Sequence, residues 1–231
     1  MVADCIVCIE ANPIDELGSV FHSNGRYRFN GVMRGFSIQA DFSGSASREG
    51  VTMEKRLIRG HGLKRKVIMP KLILMRHAKS DWSHVAQADH ERSLNTRGIR
   101  DAPLMANWLE EQQWIPDLIL SSTSQRTLET GQLMTQCWQR QVISTATSEL
   151  YLASPESILR TIKSDACRFE VVMVLAHNPG VSHFASSLAD KIIQLPTAGL
   201  AVFDVSVKEW SDFRISSEVQ FLEFMKPKSL Q

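Results

Sequence analysis

From Lys71 onward the chain alternates two kinds of pattern, and that alternation limits its fold more than any other feature. Short runs with apolar residues at successive positions read as strands: KLILMR (71–76), DLILSS (117–122), QVIST (141–145) and VVMVLA (171–176). LAVFDVSV (200–207) and VQFLEFM (219–225) are further candidates. A strand apolar at both odd and even positions buries both faces, which suits a parallel sheet covered by helices on each side. The intervening segments fit. Asn95 can cap a helix through TRGIRDAPLMANWLEEQQW, with apolar residues recurring at Leu104, Met105, Trp108 and Leu109. SQRTLETGQLMTQCWQ has helical spacing, and Ser154 with Pro155 makes a cap and first-turn proline ahead of SILRTI. Another helix should begin near Pro179 and run through HFASSLADKI. The expected fold is α/β, a three-layer α/β/α sandwich around a mainly parallel central sheet. The last two runs, joined by a KEWSD loop, look like a hairpin that adds mixed or antiparallel strands.

Residues 1–68 follow neither pattern. They are rich in Gly, Ser and Asn, as in SNGRYRFNGVMRGF and DFSGSASREG, and end in the basic run KRLIRGHGLKRK, Lys55 to Lys66. The segment is expected to be a poorly ordered extension of a single domain, 69–231. A sharper expectation makes Met69 the natural start. A peptide from upstream of Met69 in the purified native protein would refute it.

The 231 residues carry 43% hydrophobic side chains and a formal net charge of +1. Such a balance gives no electrostatic reason to expect nucleic-acid or membrane binding, so any affinity for phosphate must be local. No apolar run approaches a bilayer-spanning length. The early acidic residues Asp4, Glu10, Asp15 and Glu16 argue against a secretory or transit peptide. Cys5, Cys8, Cys137 and Cys167 form no disulfide framework, and the Cys5/Cys8 pair lacks partners at zinc-ligand spacing. Reduced thiols in a cytoplasmic, monomeric protein without metal or cofactor are the expectation.

Open α/β sheets hold ligands at the carboxyl ends of their strands. KLILMR ends in Arg76 and His77, with Lys79 close behind. DLILSS runs into TSQRTLET, which puts Arg126 in the first turn of a helix, and VVMVLA runs directly into His177. Each has a plain structural reading: a solvated strand-end histidine, a helix-surface arginine paired with Glu129, a turn residue before Asn-Pro-Gly. Parallel strands, however, bring Arg76, His77, Arg126 and His177 to one edge. Two guanidiniums match phosphate oxygens and keep their charge near neutrality. A neutral imidazole can attack phosphorus, and a protonated one can stabilise the transition state.

RHAKSDW, DHERSLNTRG, SSTSQRTLET and LAHNPG, in this order, resemble the histidine phosphatase superfamily with its phosphoglycerate-mutase-like fold, and within it the small SixA-like phosphohistidine phosphatases. The resemblance spans essentially all of 69–231 and none of 1–68. It implies that His77 becomes phosphorylated, that Arg76, Arg126 and His177 complete the phosphate pocket, and that no cofactor takes part.

A phosphomonoesterase also needs a proton donor for its leaving alkoxide. Larger relatives use a Glu or Asp between the second arginine and second histidine. Glu149 in TSELYLASPES is the candidate here, with a solvated loop carboxylate as the equal alternative; Asp81 and Asp89 are weaker candidates. Arg92 and Lys79 could contact substrate or be rim charges. Asn95 and Gly98 read as cap and close-packing residues, and Ser80 as a turn or cap. A phosphohistidine asks less of an enzymic acid than a sugar phosphate does, and the short connections between motifs leave little for a lid. The expected substrate is therefore phosphohistidine on a protein such as a phosphotransfer domain. A small phosphorylated metabolite is the alternative, and a non-catalytic phosphate-binding module comes behind both.

Overall fold

The computed structural model describes residues 17–23, 26–33, 36–43, 69–83, 86–166 and 169–231. The chain divides into two units, Met1–Arg65 and Lys66–Gln231. In the first, β1 (Leu17–Ser23), β2 (Arg26–Met33) and β3 (Phe36–Ser43) form an antiparallel sheet in that order. The pairing closes at Ser23↔Arg26 and Met33↔Phe36, leaving two residues in each connection, Asn24-Gly25 and Arg34-Gly35. Asn-Gly between strands is a strong hairpin signal. Side-chain alternation alone did not mark these strands, because glycine and polar residues interrupt it. The remainder of 1–68 lies outside the described residues, including Cys5, Cys8 and the basic run. The expectation of a poorly ordered extension falls largely on that remainder.

The second unit runs β4 (Lys71–Arg76), α1 (Thr96–Glu111), β5 (Leu118–Ser122), α2 (Gln125–Thr135), β6 (Ile143–Thr147), α3 (Pro155–Asp165), β7 (Val171–Ala176), α4 (Gly180–Ala189), β8 (Leu200–Val205) and β9 (Val219–Met225). Its six strands are ordered β6-β5-β7-β4-β8-β9. The first four are parallel, and β8 and β9 extend the sheet antiparallel beyond β4.

Alternation along the central strands assigns each face to a helix layer. Leu72 and Leu74 pack with Ile158, Ile162 and Phe184 from α3 and α4. Ile73 and Met75 pack with Met105 and Leu109 from α1 and Met134 from α2. Full burial of each such side chain is worth about 1.5–3 kcal/mol, which explains why the middles of these strands are apolar at successive positions. Strand β6 differs: it lies at the edge with most of its residues exposed, and begins two residues later than QVIST. An edge strand covered on neither face carries no apolar signal to fix its ends. Among the described residues no helix is long and apolar enough to cross a membrane.

The expected caps form. The Asn95 side chain accepts from the Gly98 amide, and the Ser154 hydroxyl accepts from the Ser157 amide. Gly98 is a close-packing site, since a Cβ there would lie 2.3 Å from the Lys79 carbonyl oxygen. Gly180 is tighter still, with a Cβ falling 1.8 Å from the Ala153 carbonyl oxygen.

Candidate active site

Strands β4, β5 and β7 are neighbours that end together, with Arg76 paired to Ala176 and Ser121 to Leu175. The residues immediately beyond them therefore meet. His77, Arg126 and His177 are 7%, 4% and 2% exposed, so the cluster is sunk below the surface.

His77 sits on a braced backbone. Its amide donates to the Ala176 carbonyl, and the Ala198 amide donates to the carbonyls of Arg76 and His77. Thr130 of α2 accepts from the Ala78 amide at 3.1 Å and donates to the Arg126 carbonyl at 2.6 Å, tying the strand end to the helix that carries Arg126. The ring orientation follows. Nδ1–H donates to the Ala78 carbonyl at 2.7 Å, and Nε2 accepts from Arg126 Nε–H at 3.2 Å. The Nε2 lone pair thus faces a guanidinium. Burial is the main cause that lowers the His77 pKa to about 4; Arg126 and Arg76 add to it, against the Ala78 hydrogen bond and Asp89.

His177 lies with its ring centroid 5.0 Å from that of His77. Its Nδ1 accepts from Arg126 Nη2–H at 3.3 Å, and Nε2–H donates to the Ser122 hydroxyl at 2.9 Å. Burial, then the neighbouring His77 and Arg126, takes its pKa down to about 3. The second imidazole, which can stabilise a transition state once protonated, is held neutral by this setting. A buried imidazole beside two guanidiniums has no reason to charge until an anion enters.

Arg76 donates from Nη1 to the Leu195 carbonyl at 3.2 Å, while its buried Nε has no partner among the described residues. Burial and then the charge of Arg126 lower its pKa. Arg126 is not the surface residue paired with Glu129 that its helical setting allowed. It donates from Nη2 to Asp89 Oδ2 at 2.8 Å and from Nη1 to the Asp89 carbonyl. Glu129 instead accepts from the Leu94 amide at 2.6 Å.

Two residues that the sequence left in the background stand in this network. Asp89 lies on a single 3-10 turn, Asp89–Glu91, and Tyr151 donates to its Oδ2 at 2.9 Å. The Tyr151 ring meets His177 edge-on at 5.3 Å. Burial raises the Asp89 pKa, but hydrogen bonds from Tyr151 and Arg126, with the charge of Arg126, outweigh it and leave the carboxyl below its ordinary range. Tyr151 follows Glu149 in the same short segment, and nothing in that spacing marks it as a partner of Asp89.

The other expected site residues lie elsewhere. Glu149 is exposed on the turn Ser148–Leu150 beside Glu156, Arg160 and Lys163, and the described residues show no contact between it and the cluster. The reason is its strand: β6 is the sheet edge, separated from β4 by β5 and β7. Arg92 is buried against the Trp82 ring, 4.2 Å from its centroid, and donates to the Asp81 carbonyl. The Asp81 carboxylate accepts from the Ser83 amide, and the Ser80 hydroxyl accepts from Trp82 Nε1–H. Lys79 is half-buried, and its carbonyl accepts from the Asn95 amide.

Comparison with known proteins agrees with this geometry. The family model of the histidine phosphatase superfamily (branch 1) matches residues 72–148. An uncharacterized chloroplastic protein of Arabidopsis thaliana is 30% identical over 158 residues, 63% of this chain and 71% of that one. An uncharacterized protein of Mycobacterium leprae is 30% identical over 169 residues, 67% of this chain and 100% of its own length. Among solved structures, the "putative phosphohistidine phosphatase SixA from Agrobacterium tumefaciens" superposes with a TM-score of 0.57 at 27% identity, covering 69% of this chain and 99% of that one. A protein histidine phosphatase SixA complexed with tungstate superposes at 0.59 with 22% identity, over 70% of this chain and 99% of that one, a likeness of fold.

Proposed function

Since the chain belongs to the histidine phosphatase superfamily, we propose that it is a phosphatase working through a phosphohistidine at His77 and acting on phosphohistidine carried by a protein. One observation carries the reading: His77 Nδ1–H is fixed to the Ala78 carbonyl, so the Nε2 lone pair is the one presented beside Arg126. A neutral imidazole held in one tautomer is a ready nucleophile.

In the first step the Nε2 lone pair bonds to phosphorus while the bond from phosphorus to the substrate imidazole breaks, and that imidazole takes up a proton. Arg76 and Arg126 neutralise the equatorial oxygens. His177 gains a proton as the dianion enters and donates to the same oxygens. In the second step water bonds to phosphorus, gives up a proton, and breaks the bond to His77. Inorganic phosphate leaves and His77 is neutral again. Lys79 stands behind the first motif as a cation for the substrate's approach, while Arg92, stacked on Trp82, shapes that loop.

The substrate class rests on two supports. The solved structure at 27% identity carries the description "putative phosphohistidine phosphatase". Among the described residues, the chain between β5 and β7 holds α2, β6, a single turn and α3, with no further element to close over the pocket. A small phosphorylated metabolite is the second reading, favoured by the depth of the cluster, with His77 only 7% exposed. The test is phosphate release from a phosphorylated histidine phosphotransfer domain, wild type against His77→Ala. Turnover lost in the variant supports the proposal; a wild type that ignores this carrier but hydrolyses small phosphates moves the assignment to the metabolite.

A further inference from the structure

The cluster contains one carboxylate among the described residues, and it is Asp89. It stands in the place a phosphate would need, against the guanidinium of Arg126 and under the hydroxyl of Tyr151. Its side chain is 43% exposed, against 5% for Arg126, so it is the member of this pair that is open to solvent. The backbone cannot drift away: the Asp89 carbonyl also accepts from Arg126, and the adjacent His90 ring packs edge-on against Tyr151 at 4.9 Å.

On the reading that phosphoryl transfer occurs at His77, we infer that Asp89 is the proton donor to the leaving group and reaches its acid form by surrendering Arg126 to the incoming phosphate. The free protein holds Asp89 ionised, because Tyr151 and Arg126 both donate to it. A phosphate dianion competes for the same guanidinium N–H groups and wins them with more acceptor oxygens. Asp89 is then a carboxylate that has lost a cation and gained an anionic neighbour. Both changes favour uptake of a proton. Tyr151 keeps it at the mouth of the pocket, beside the oxygen that will leave. As Nε2 bonds to phosphorus and the ester P–O bond breaks, the Asp89 proton passes to the departing oxygen and the free alcohol diffuses away. In the second step the Asp89 carboxylate takes the proton of the attacking water, and it releases that proton to solvent when phosphate departs and Arg126 returns to it. Substrate binding thus arms the acid, and the empty site keeps its arginine neutralised.

A carboxylate that merely positions Arg126 would have the same contacts, and leaving-group chemistry separates the two roles. The experiment measures kcat/KM for p-nitrophenyl phosphate, whose phenolate leaves without help, and for glycerol phosphate, whose alkoxide does not, with wild type, Asp89→Asn, Asp89→Glu and Glu149→Gln. The phosphoenzyme formed from p-nitrophenyl phosphate is trapped in parallel. The inference expects Asp89→Asn to lose about a hundredfold or more on glycerol phosphate and only a few-fold on p-nitrophenyl phosphate. Asp89→Glu should recover part of the alkyl activity, Glu149→Gln should behave as wild type, and the alkaline fall of the wild-type alkyl profile should vanish in Asp89→Asn. Equal losses on both esters would make Asp89 a positioning residue and overturn the inference. So would a wild type that forms its phosphoenzyme from the aryl ester but leaves alkyl esters untouched. Failure of the wild type to form any phosphohistidine would instead remove the phosphoryl-transfer reading on which the inference rests.

Discussion

At the scale of single residues, the site is governed by how two imidazoles are kept neutral. His77 and His177 have pKa values lowered to about 4 and about 3, chiefly by burial. A free histidine titrates near pH 6.5. The nucleophile therefore keeps its lone pair well below neutrality, and the acid limb of kcat/KM should fall near pH 4 to 5 rather than near 6.5. The same shifts act on stability. Below about pH 6.5 the unfolded chain binds protons that the folded protein refuses, so stability is complete above that pH and declines as the pH falls toward about 4. The decline is on the order of 1 kcal/mol per pH unit for each imidazole. Urea midpoints at pH 7 and pH 5 should show it, and His177→Gln should show a smaller drop than wild type. An equal drop would mean that His177 is not held neutral.

The residues just beyond the strands were legible because strand ends are marked by apolar runs, and parallel packing then brings Arg76, His77, Arg126 and His177 together. Asp89 and Tyr151 were harder. Asp89 reaches Arg126 through a stretch with no regular period, and Tyr151 arrives from beyond an exposed edge strand. Neither pattern nor propensity says where such a loop will lie. Glu149 is the complementary case: its acidic character was visible, and the edge position of its strand was not.

At the scale of elements, the site depends on how tightly three connections are drawn. Gly98 lets α1 approach the loop that follows His77, and Gly180 lets α4 start against the Ala153 carbonyl just after His177. Both obstacles are backbone atoms, which cannot swing aside. Gly98→Ala should therefore lower stability by about 1–3 kcal/mol and shift the loop carrying Lys79, costing activity beyond its effect on melting. Thr130→Val removes the hydroxyl between the Ala78 amide and the Arg126 carbonyl while keeping the volume. Leaving the buried Ala78 amide without an acceptor should cost about 1–3 kcal/mol. If Thr130 braces the site, kcat should drop more than KM rises at a temperature where the variant is fully folded. Unchanged kcat would reduce Thr130 to a stabilising contact. The helix caps at Asn95 and Ser154 were readable from residue type, because capping chemistry is local.

At the scale of the whole molecule, the two core clusters found among the described residues draw their buried apolar side chains from the second unit, from Leu72 onward. A chain beginning at Met69 should then fold with an unchanged melting transition and retain the wild-type kcat/KM. A large loss of either would show that the first unit contributes to the site or the core. The order of layers was legible from the alternation of strand and helix patterns. The sheet of β1, β2 and β3 was not, since its strands mix glycine and polar residues, and its signal lies in the Asn24-Gly25 connection.

If His77 Nε2 takes the phosphoryl group from substrate, the phosphoryl can be caught there. The protein is mixed with a phosphorylated phosphotransfer domain or p-nitrophenyl phosphate, quenched in alkali within the first turnover, and mapped by mass spectrometry. Phosphoryl bound to His77, stable in alkali, lost in acid and absent from His77→Ala, is the predicted result. Phosphate found on a different residue, or turnover that persists in His77→Ala, would contradict the account.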